Sequence, residues 1–372
     1  MKTLRDALRR FDGQRRSWTA GLERATLAWL AGRGRLPASP QAPRRILVIR
    51  STNRIGNNLF LLPFLQRLRR DHPNAEIELV CSGGPLLPFL ADLQLGAIHR
   101  VRLQGKQLIG ALAVLWRLRQ RHYDSVYVPF ASSTDHLIAA WVRAGEKIGF
   151  DDAKGDALFD QPLRPDSGCH YAHQPLQLLG CHGNPAEQIE LGSVLLAPCP
   201  PLAALRRAHP GHPLIGFFTG ARKGKGLSAT QWRRLLGELR RHSPDALLIQ
   251  LEDPASPQPL LGDLHLSLAS MSELARFTRG LALFVSCDTG PLHLAAASGV
   301  PCLGLFTQTD PARYGCLGAQ HLNLVIEDRN AIPLDGYWLA EALAREAPSQ
   351  GWHRPQNPAP YPQTGAPLLL TP

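Results

Sequence analysis

No run in this chain of 372 residues is long and apolar enough to span a bilayer. The strictly apolar stretch 280–285 falls far short of the roughly 20 residues a spanning helix needs. The long stretch free of acid and base, 289–309, is interrupted by Pro291, His293, Ser298 and Pro301. The charged start Met1-Lys2-Thr3-Leu4-Arg5-Asp6 lacks the apolar centre and small-residue cleavage site of a secretory signal, so a cytoplasmic location is expected. Cysteine is sparse and odd in number. Its seven scattered positions argue against a disulfide framework and for reduced thiols. No P-loop, HExxH string or nucleophile elbow is present, and the loop after residue 50 holds one glycine where a dinucleotide site wants G-x-G-x-x-G. Nicotinamide dehydrogenase chemistry is thereby rejected. Acids are also in deficit, 30 against 41 Lys and Arg, giving a net charge of +11. Residues 1–45 alone carry eleven basic and three acidic side chains, a local +8 that leaves about +3 for the rest. No basic stripe interleaved with aromatics follows Arg45, so nucleic acid is not an expected partner.

What the chain does have is 44% hydrophobic residues, and its length suits two compact domains. Leu4, Ala7, Leu8 and Phe11, then Trp18, Leu22, Ala25 and Trp29, fall at helical spacing, with arginines on the other face. Residues 1–36 therefore predict a basic amphipathic helix, which suits either an anionic membrane surface or packing on the protein's own body. A proline-rich linker closes this appendage at residue 43. From residue 44 short apolar runs alternate with amphipathic ones, the pattern of βα units around a parallel sheet. The first set predicts strands at 45–50, 76–82, 98–103, 124–130 and 146–150, with helices at 57–71, 85–94, 106–122 and 132–143. The second predicts strands near 213–218, 245–251, 282–287, 301–306 and 322–327, with helices near 229–242, 271–279 and 290–298. The expected division is 1–43 appendage, 44–170 first Rossmann-like domain, 171–210 interdomain region, 211–335 second Rossmann-like domain, and 336–372 terminal helix and proline-rich tail. The tail past that helix is expected to be extended or disordered.

Two segments carry chemistry. In 45–60 a strand runs into the polar loop Ser51-Thr52-Asn53-Arg54, then Ile55-Gly56-Asn57-Asn58 opens a helix whose first amides lack intrahelical partners. In 284–301 a strand ends at Asp288, a turn carries Thr289 and Gly290, and Pro291 falls in the first helical turn, where its missing N–H costs nothing. Such a start binds phosphate through free amides and the helix dipole. A purely structural role remains open at this point: Asp288 as a cap and His293 as a half-buried side chain.

Taken together these segments resemble glycosyltransferase family 9, the lipopolysaccharide heptosyltransferases and their relatives. Arg54-Ile55-Gly56 and the following Leu59 to Pro63 are similar to the family's amino-terminal signature. Asp288-Thr289-Gly290 through His293, then Leu294 to Ala297, Gly299, Pro301, Leu305-Phe306 and Asp310-Pro311, are similar to its carboxyl-terminal one. Lys147-Ile148-Gly149-Phe150, His170 to Gly180, and Thr219-Gly220 to Lys225 extend the resemblance over about 44–330. It implies a GT-B architecture, two Rossmann-like doubly wound domains facing a central cleft. It also implies inverting transfer, without metal or other cofactor, of a heptose or related sugar from a nucleoside diphosphate donor, ADP-heptose first. The implied acceptor is a lipopolysaccharide core or similar glycolipid at the inner membrane's cytoplasmic face.

Transfer of this kind needs a general base for the acceptor hydroxyl and positive potential for the departing diphosphate. Lys225, with Lys223 as competitor, and the amides of Thr289 and Gly290 are the candidates for the second. Thr219 and Gly220 open the donor domain, Glu252 stands where a carboxylate can accept from ribose hydroxyls, and Asp288 and His293 complete the donor set. The family's base is an aspartate directly after the signature glycine. This chain has Asn57 there, and an amide cannot take the proton. Substitutes named from sequence are Asp151, Asp152, Asp135 and His136, and Asn57 could instead cap its helix. A catalytically lapsed member that binds nucleotide sugar or glycolipid is therefore the alternative, and epimerase chemistry on the same architecture is a third. Cys169-His170, Cys181-His182 and His173 are metal-ligand types, but adjacent Cys and His rarely address one ion.

Overall fold

The computed structural model describes residues 25–37, 44–84, 86–102, 108–151, 158–160, 162–184, 186–222, 224–253, 258–344 and 369–371. Two six-stranded, all-parallel sheets organise the chain, one in each half. The first is formed by β1 (Arg45–Arg50), β2 (Glu76–Cys81), β3 (Ala97–Arg100), β4 (His122–Val128) and β5 (Arg143–Gly149). The second is formed by β6 (Leu214–Phe218), β7 (Leu247–Glu252), β8 (Leu264–Ser267), β9 (Leu283–Cys287), β10 (Cys302–Phe306) and β11 (Leu322–Val325). The orders are β12-β3-β2-β1-β4-β5 and β11-β10-β9-β6-β7-β8, where β12 is Leu369–Thr371. Both sheets reverse strand order beside their first strand, the doubly wound topology in which ligands gather at the carboxyl ends. The sixth strand of the first sheet is the unexpected one. The proline-rich tail, expected to be extended or disordered, returns residues 369–371 to pair in parallel with Ala97, Ile98 and His99.

Continuous apolar strands explain the buried sheets, since both faces are covered by helices. On one face of the first sheet, Leu47, Ile49, Val80, Val126 and Val128 meet α1 (25–34), α4 (Leu108–Gln120) and α5 (Ser133–Trp141). The opposite face receives α2 (Ile55–Leu59) and α3 (Leu62–Asp71). The predicted single helix 57–71 is two, with Phe60 and Leu61 as the joint, and the predicted helix 85–94 is a 3-10 helix over Leu87–Leu93. In the second half α7 (Ala229–His242) begins with a full capping box between Ser228 and Gln231. It buries Trp232, Leu235, Leu236 and Leu239 against β6 and β9. The remaining helices are α6 (Pro200–Ala208), α8 (Met271–Arg279), α9 (Gly290–Ser298), α10 (Pro311–Tyr314) and α11 (Gly336–Ala344). All seven cysteines are free thiols.

The appendage differs from its predicted stripe. Residues 1–24 lie outside the described residues, but 25–36 pack on the body of the first domain. Leu27 is fully buried, Leu30 and Ala31 are partly buried, and Leu36 N–H donates to the Ala144 carbonyl at 2.9 Å. Ala25 and Trp29, placed by the periodicity on the apolar stripe, face solvent and are not part of the face that packs on the body. No helix among the described residues is long and apolar enough to cross a membrane.

The two halves are clasped at several points. Tyr171 N–H donates to the Arg313 carbonyl at 2.8 Å, and Arg313 donates to the Ser167 carbonyl at 2.7 Å. His170 Nε2 bonds the Gly315 carbonyl at 3.0 Å while its Nδ1 accepts from Ala172 N–H at 3.2 Å. That arrangement needs a neutral imidazole, and burial pushes the His170 pKa down to about 3. The 3-10 turn Gly192–Leu196 forms a further bridge. Its Ser193 donates through N–H and hydroxyl to Asp92, and its Leu195 carbonyl accepts from Arg279 at 3.2 Å.

Candidate active site

The two halves enclose a cleft of about 680 Å³ between the carboxyl ends of their sheets, within the size range of small-molecule sites. All nine residues assigned from sequence to the base position and the donor set line it: Asn57 from α2, and Thr219, Gly220, Lys225, Glu252, Asp288, Thr289, Gly290 and His293 from the second domain. They were spread over more than 230 positions of sequence. Strand ends deliver most of them. Thr219 and Gly220 follow β6, Glu252 closes β7, and Asp288 follows β9.

The two signature segments touch across the cleft. A Cβ on Gly56 would stand 2.9 Å from Cδ2 of His293, and a Cβ on Gly290 would stand 2.7 Å from Cβ of Ile55. Bare glycine at both positions therefore lets α2 and α9 approach. Phe60 finishes the contact, its ring 4.8 Å from the His293 ring in an edge-on arrangement. Gly290→Ala should force this contact apart, because Ile55 Cβ is not a flexible side-chain end. The expected cost is about 1–3 kcal/mol, read by denaturant unfolding. Gly237→Ala on α7, where a Cβ meets nothing within 4 Å, should instead stabilise by roughly 0.5–1 kcal/mol.

Asp288 is the hub of the second-domain side. Its Oδ1 lies 3.1 Å from His293 Nε2, and its Oδ2 takes bonds from the Lys225 ammonium and, at 2.7 Å, the Thr309 hydroxyl. Burial acts to raise the Asp288 carboxyl. The bonds and charge from His293, Lys225 and Thr309 outweigh it and hold the group well below the usual carboxylate range. Asp288 is not the cap of α9. Thr289 is, its Oγ1 accepting from Leu292 N–H and bonding Ser286 Oγ at 2.9 Å. Pro291 has no N–H to satisfy, so Gly290 supplies the first-turn amide without an intrahelical acceptor.

Lys225 sits on a loop fixed from behind. Thr307 Oγ1 donates to the Lys225 carbonyl at 2.9 Å, and Arg329 donates to the Gly224 and Gly226 carbonyls at 2.6 and 3.1 Å. Gly224 takes φ +91°, a left-handed conformation that favours glycine. The competitor Lys223 lies outside the described residues. Glu252 accepts from Gln258 N–H at 3.2 Å and pairs with His265 at 2.7 Å.

Among the described residues, the first domain contributes Asn53, Arg54, Ile55, Gly56, Asn57 and Phe60 to the lining, and no carboxylate, while Tyr171 joins it from the segment that follows. Asn57 does not cap α2, whose N-cap is Arg54 and which has no side-chain cap bond. None of the described substitutes for the base lines the cleft. Asp135 is fully buried and accepts from Ser51 N–H at 2.9 Å and from its hydroxyl. His136 is buried against Phe159. Asp151 faces Arg164 at 3.9 Å, and Asp152 lies outside the described residues. Sequence reasoning missed Arg54 and Arg222, two cations of the lining. Their signal was available, since both stand in polar loops directly after a first strand.

Two doubly wound domains around such a cleft define the GT-B class. Within that class the chain matches glycosyltransferase family 9 (heptosyltransferase), through residues 255–334. Solved structures share the fold. The chain is similar to the glycosyl transferase family 9 from Veillonella parvula at 19% identity and TM-score 0.62, over 76% of this chain and 85% of that one. It is similar to E. coli heptosyltransferase WaaC with ADP at 18% identity and TM-score 0.55, over 75% and 92%. E. coli ADP-heptose lps heptosyltransferase II gives 17% identity and TM-score 0.58, over 80% and 97%. A comparison with curated protein sequences gives no match.

Proposed function

We propose that this protein is an inverting, metal-independent glycosyltransferase that moves a heptose or related sugar from a nucleoside diphosphate, ADP-heptose first, to a lipopolysaccharide-core or similar glycolipid acceptor. The observation that carries the reading is the meeting of both family signatures across one cleft, with Lys225 and the start of α9 on its donor side. The donor diphosphate lies at that helix start, where the Gly290 amide, the dipole and Lys225 offset the charge that grows as the sugar–phosphate bond breaks. Arg54 and Arg222 add positive potential. Glu252 is the group for the ribose hydroxyls. The acceptor enters from the first-domain side, with its hydroxyl toward Asn57. Work takes place at the cytoplasmic face of the inner membrane. Support for the donor comes from the relatives, since solved heptosyltransferases of this fold carry ADP or an ADP-heptose analogue.

One observation favours a second reading, a lapsed enzyme that binds nucleotide sugar or glycolipid without transfer. Among the described residues the lining has no first-domain carboxylate to serve as base.

Calorimetry with ADP, UDP, GDP and ADP-heptose tests the donor site. ADP compounds should bind, and Lys225→Ala should weaken them by about 1–3 kcal/mol, the scale of one charge-assisted hydrogen bond. Failure of every nucleotide to bind would overturn the reading. Unchanged affinity in Lys225→Ala would remove that residue from the site.

A further inference from the structure

The helical layer on one face of the first sheet turns large apolar side chains to solvent. On α4, Ile109 is 81% exposed, Leu112 54% and Trp116 60%, spaced at i, i+3 and i+7 so that they share one face. The opposite face of the same helix buries Ala111, Val114 and Leu118. Neighbouring helices of the layer add Trp29 of α1, 56% exposed, and Leu137 of α5. Five such residues in one layer differ from the isolated exposed apolar side chains that need no explanation.

The charges of this layer have one sign. Arg33 lies over the Trp29 ring at 4.0 Å, Arg117 is exposed beside Trp116, and Arg119 lies over the Trp141 ring at 4.5 Å. The single acid on the described parts of these three helices is Asp135, which is fully buried. Apolar side chains flanked by arginines, with no exposed acid on the described parts of these three helices, match an anionic bilayer surface, where tryptophan sits at the headgroup boundary and arginine meets phosphate. A second copy of the chain fits less well, because two such faces would bring like charges together.

We infer that the exposed face of α4, flanked by Trp29 and Leu137, is the surface by which the protein lies on an anionic membrane. The inference rests on the glycolipid acceptor proposed above, and the topology connects the two. α4 follows β3, so it starts at the carboxyl edge of the sheet and runs back antiparallel to the strands. Ile109 and Leu112 are therefore at the end of the helix nearest the cleft. A bilayer against this face brings a headgroup-borne sugar to the rim of the first-domain side, where the acceptor is needed.

The experiment compares the full chain with its Ile109→Ser/Trp116→Ser variant, both positions being exposed and outside the cleft lining. Co-sedimentation is measured with vesicles of phosphatidylglycerol and phosphatidylethanolamine, and with vesicles of phosphatidylcholine alone. The full chain should bind the anionic vesicles and fall away with salt, and the variant should bind at least about tenfold more weakly. Calorimetric ADP affinity should be the same in both, which separates lost docking from lost folding. Equal sedimentation of the two proteins would overturn the inference, and would place any attachment in another segment. A natural protein that is dimeric by sedimentation equilibrium, with a monomeric variant and unchanged vesicle binding, would overturn it in favour of a self-association face. Absence of ADP binding in the natural protein would instead strike the sugar-transfer reading, and the vesicle comparison would still decide the docking surface.

Discussion

Asp288→Ala will lower stability by about 2–4 kcal/mol and abolish transfer, the largest combined loss expected from one cleft residue. The carboxylate accepts from Lys225 and Thr309 and bonds His293, and its side chain is only 11% exposed. Removing it leaves an ammonium and an imidazole partly buried without their partner. Lys225 is then no longer held at the start of α9, where the donor diphosphate is proposed to sit. Asp288→Asn separates charge from shape. It keeps the volume and one acceptor oxygen, and should lose about half as much stability. The effect of pH follows from the depressed carboxyl. A group whose folded pKa lies below its ordinary value near 3.8 contributes stability that is present above that value and lost as the pH falls below it. The stability gap between the natural protein and Asp288→Asn should therefore be full at pH 6 and narrow below pH 4. Denaturant midpoints across that range measure it, and a gap independent of pH would show that Asp288 acts by shape alone.

Much of this fold is legible in sequence because buried parallel strands are short apolar runs, and all ten expected strands appear within a few residues. The strand β8 was not read. It is an edge strand, its residues alternate between half-buried and exposed, and Leu264-His265-Leu266-Ser267 is too brief to show a period. β12 was invisible for a different reason. Its partner lies more than 260 positions earlier, and pairing across such a distance leaves no local signal. On α1 the period itself misled. Between 25 and 31 nearly every residue is apolar, so a stripe through Ala25 and Trp29 competes with one through Leu27 and Ala31. The available surface on the first domain selects the second. The site was more legible than its contacts. Strand ends and glycine-containing turns mark Thr219, Glu252, Asp288 and Gly290. The approach of Gly56 to His293 exists only once both domains are folded, and the Asp288 bonds that leave capping to Thr289 join positions 225, 288, 293 and 309, brought together only by the fold of the second domain.

Asn57→Asp will raise turnover, by up to the roughly 10²–10⁴ that a general base contributes, if transfer follows the family's mechanism. Asn57 lines the cleft from the first turn of α2, which has no acidic residue and no side-chain cap to disturb. Asparagine and aspartate are nearly equal in size, so the change supplies a carboxylate without repacking, and its charge meets the positive end of a helix. Donor affinity should change much less than kcat, because the diphosphate is proposed to bind on the opposite wall. The comparison also divides the two readings of the protein. A slow natural enzyme accelerated by Asn57→Asp identifies transfer with its usual base missing. Ordinary turnover in the natural protein, slowed by the substitution, moves the base elsewhere. The carboxylates already in the lining, Glu252, Asp253 and Asp288, then become the positions to replace, ahead of Asp135, His136 and Asp151, which the fold keeps out of the cleft. Binding of ADP-heptose by both forms, with transfer by neither to a panel of core glycolipids, would identify a protein that holds the donor and has given up the chemistry. The order of measurement matters for that conclusion: donor affinity comes first, since only a protein that binds the donor can be said to lack the step that follows.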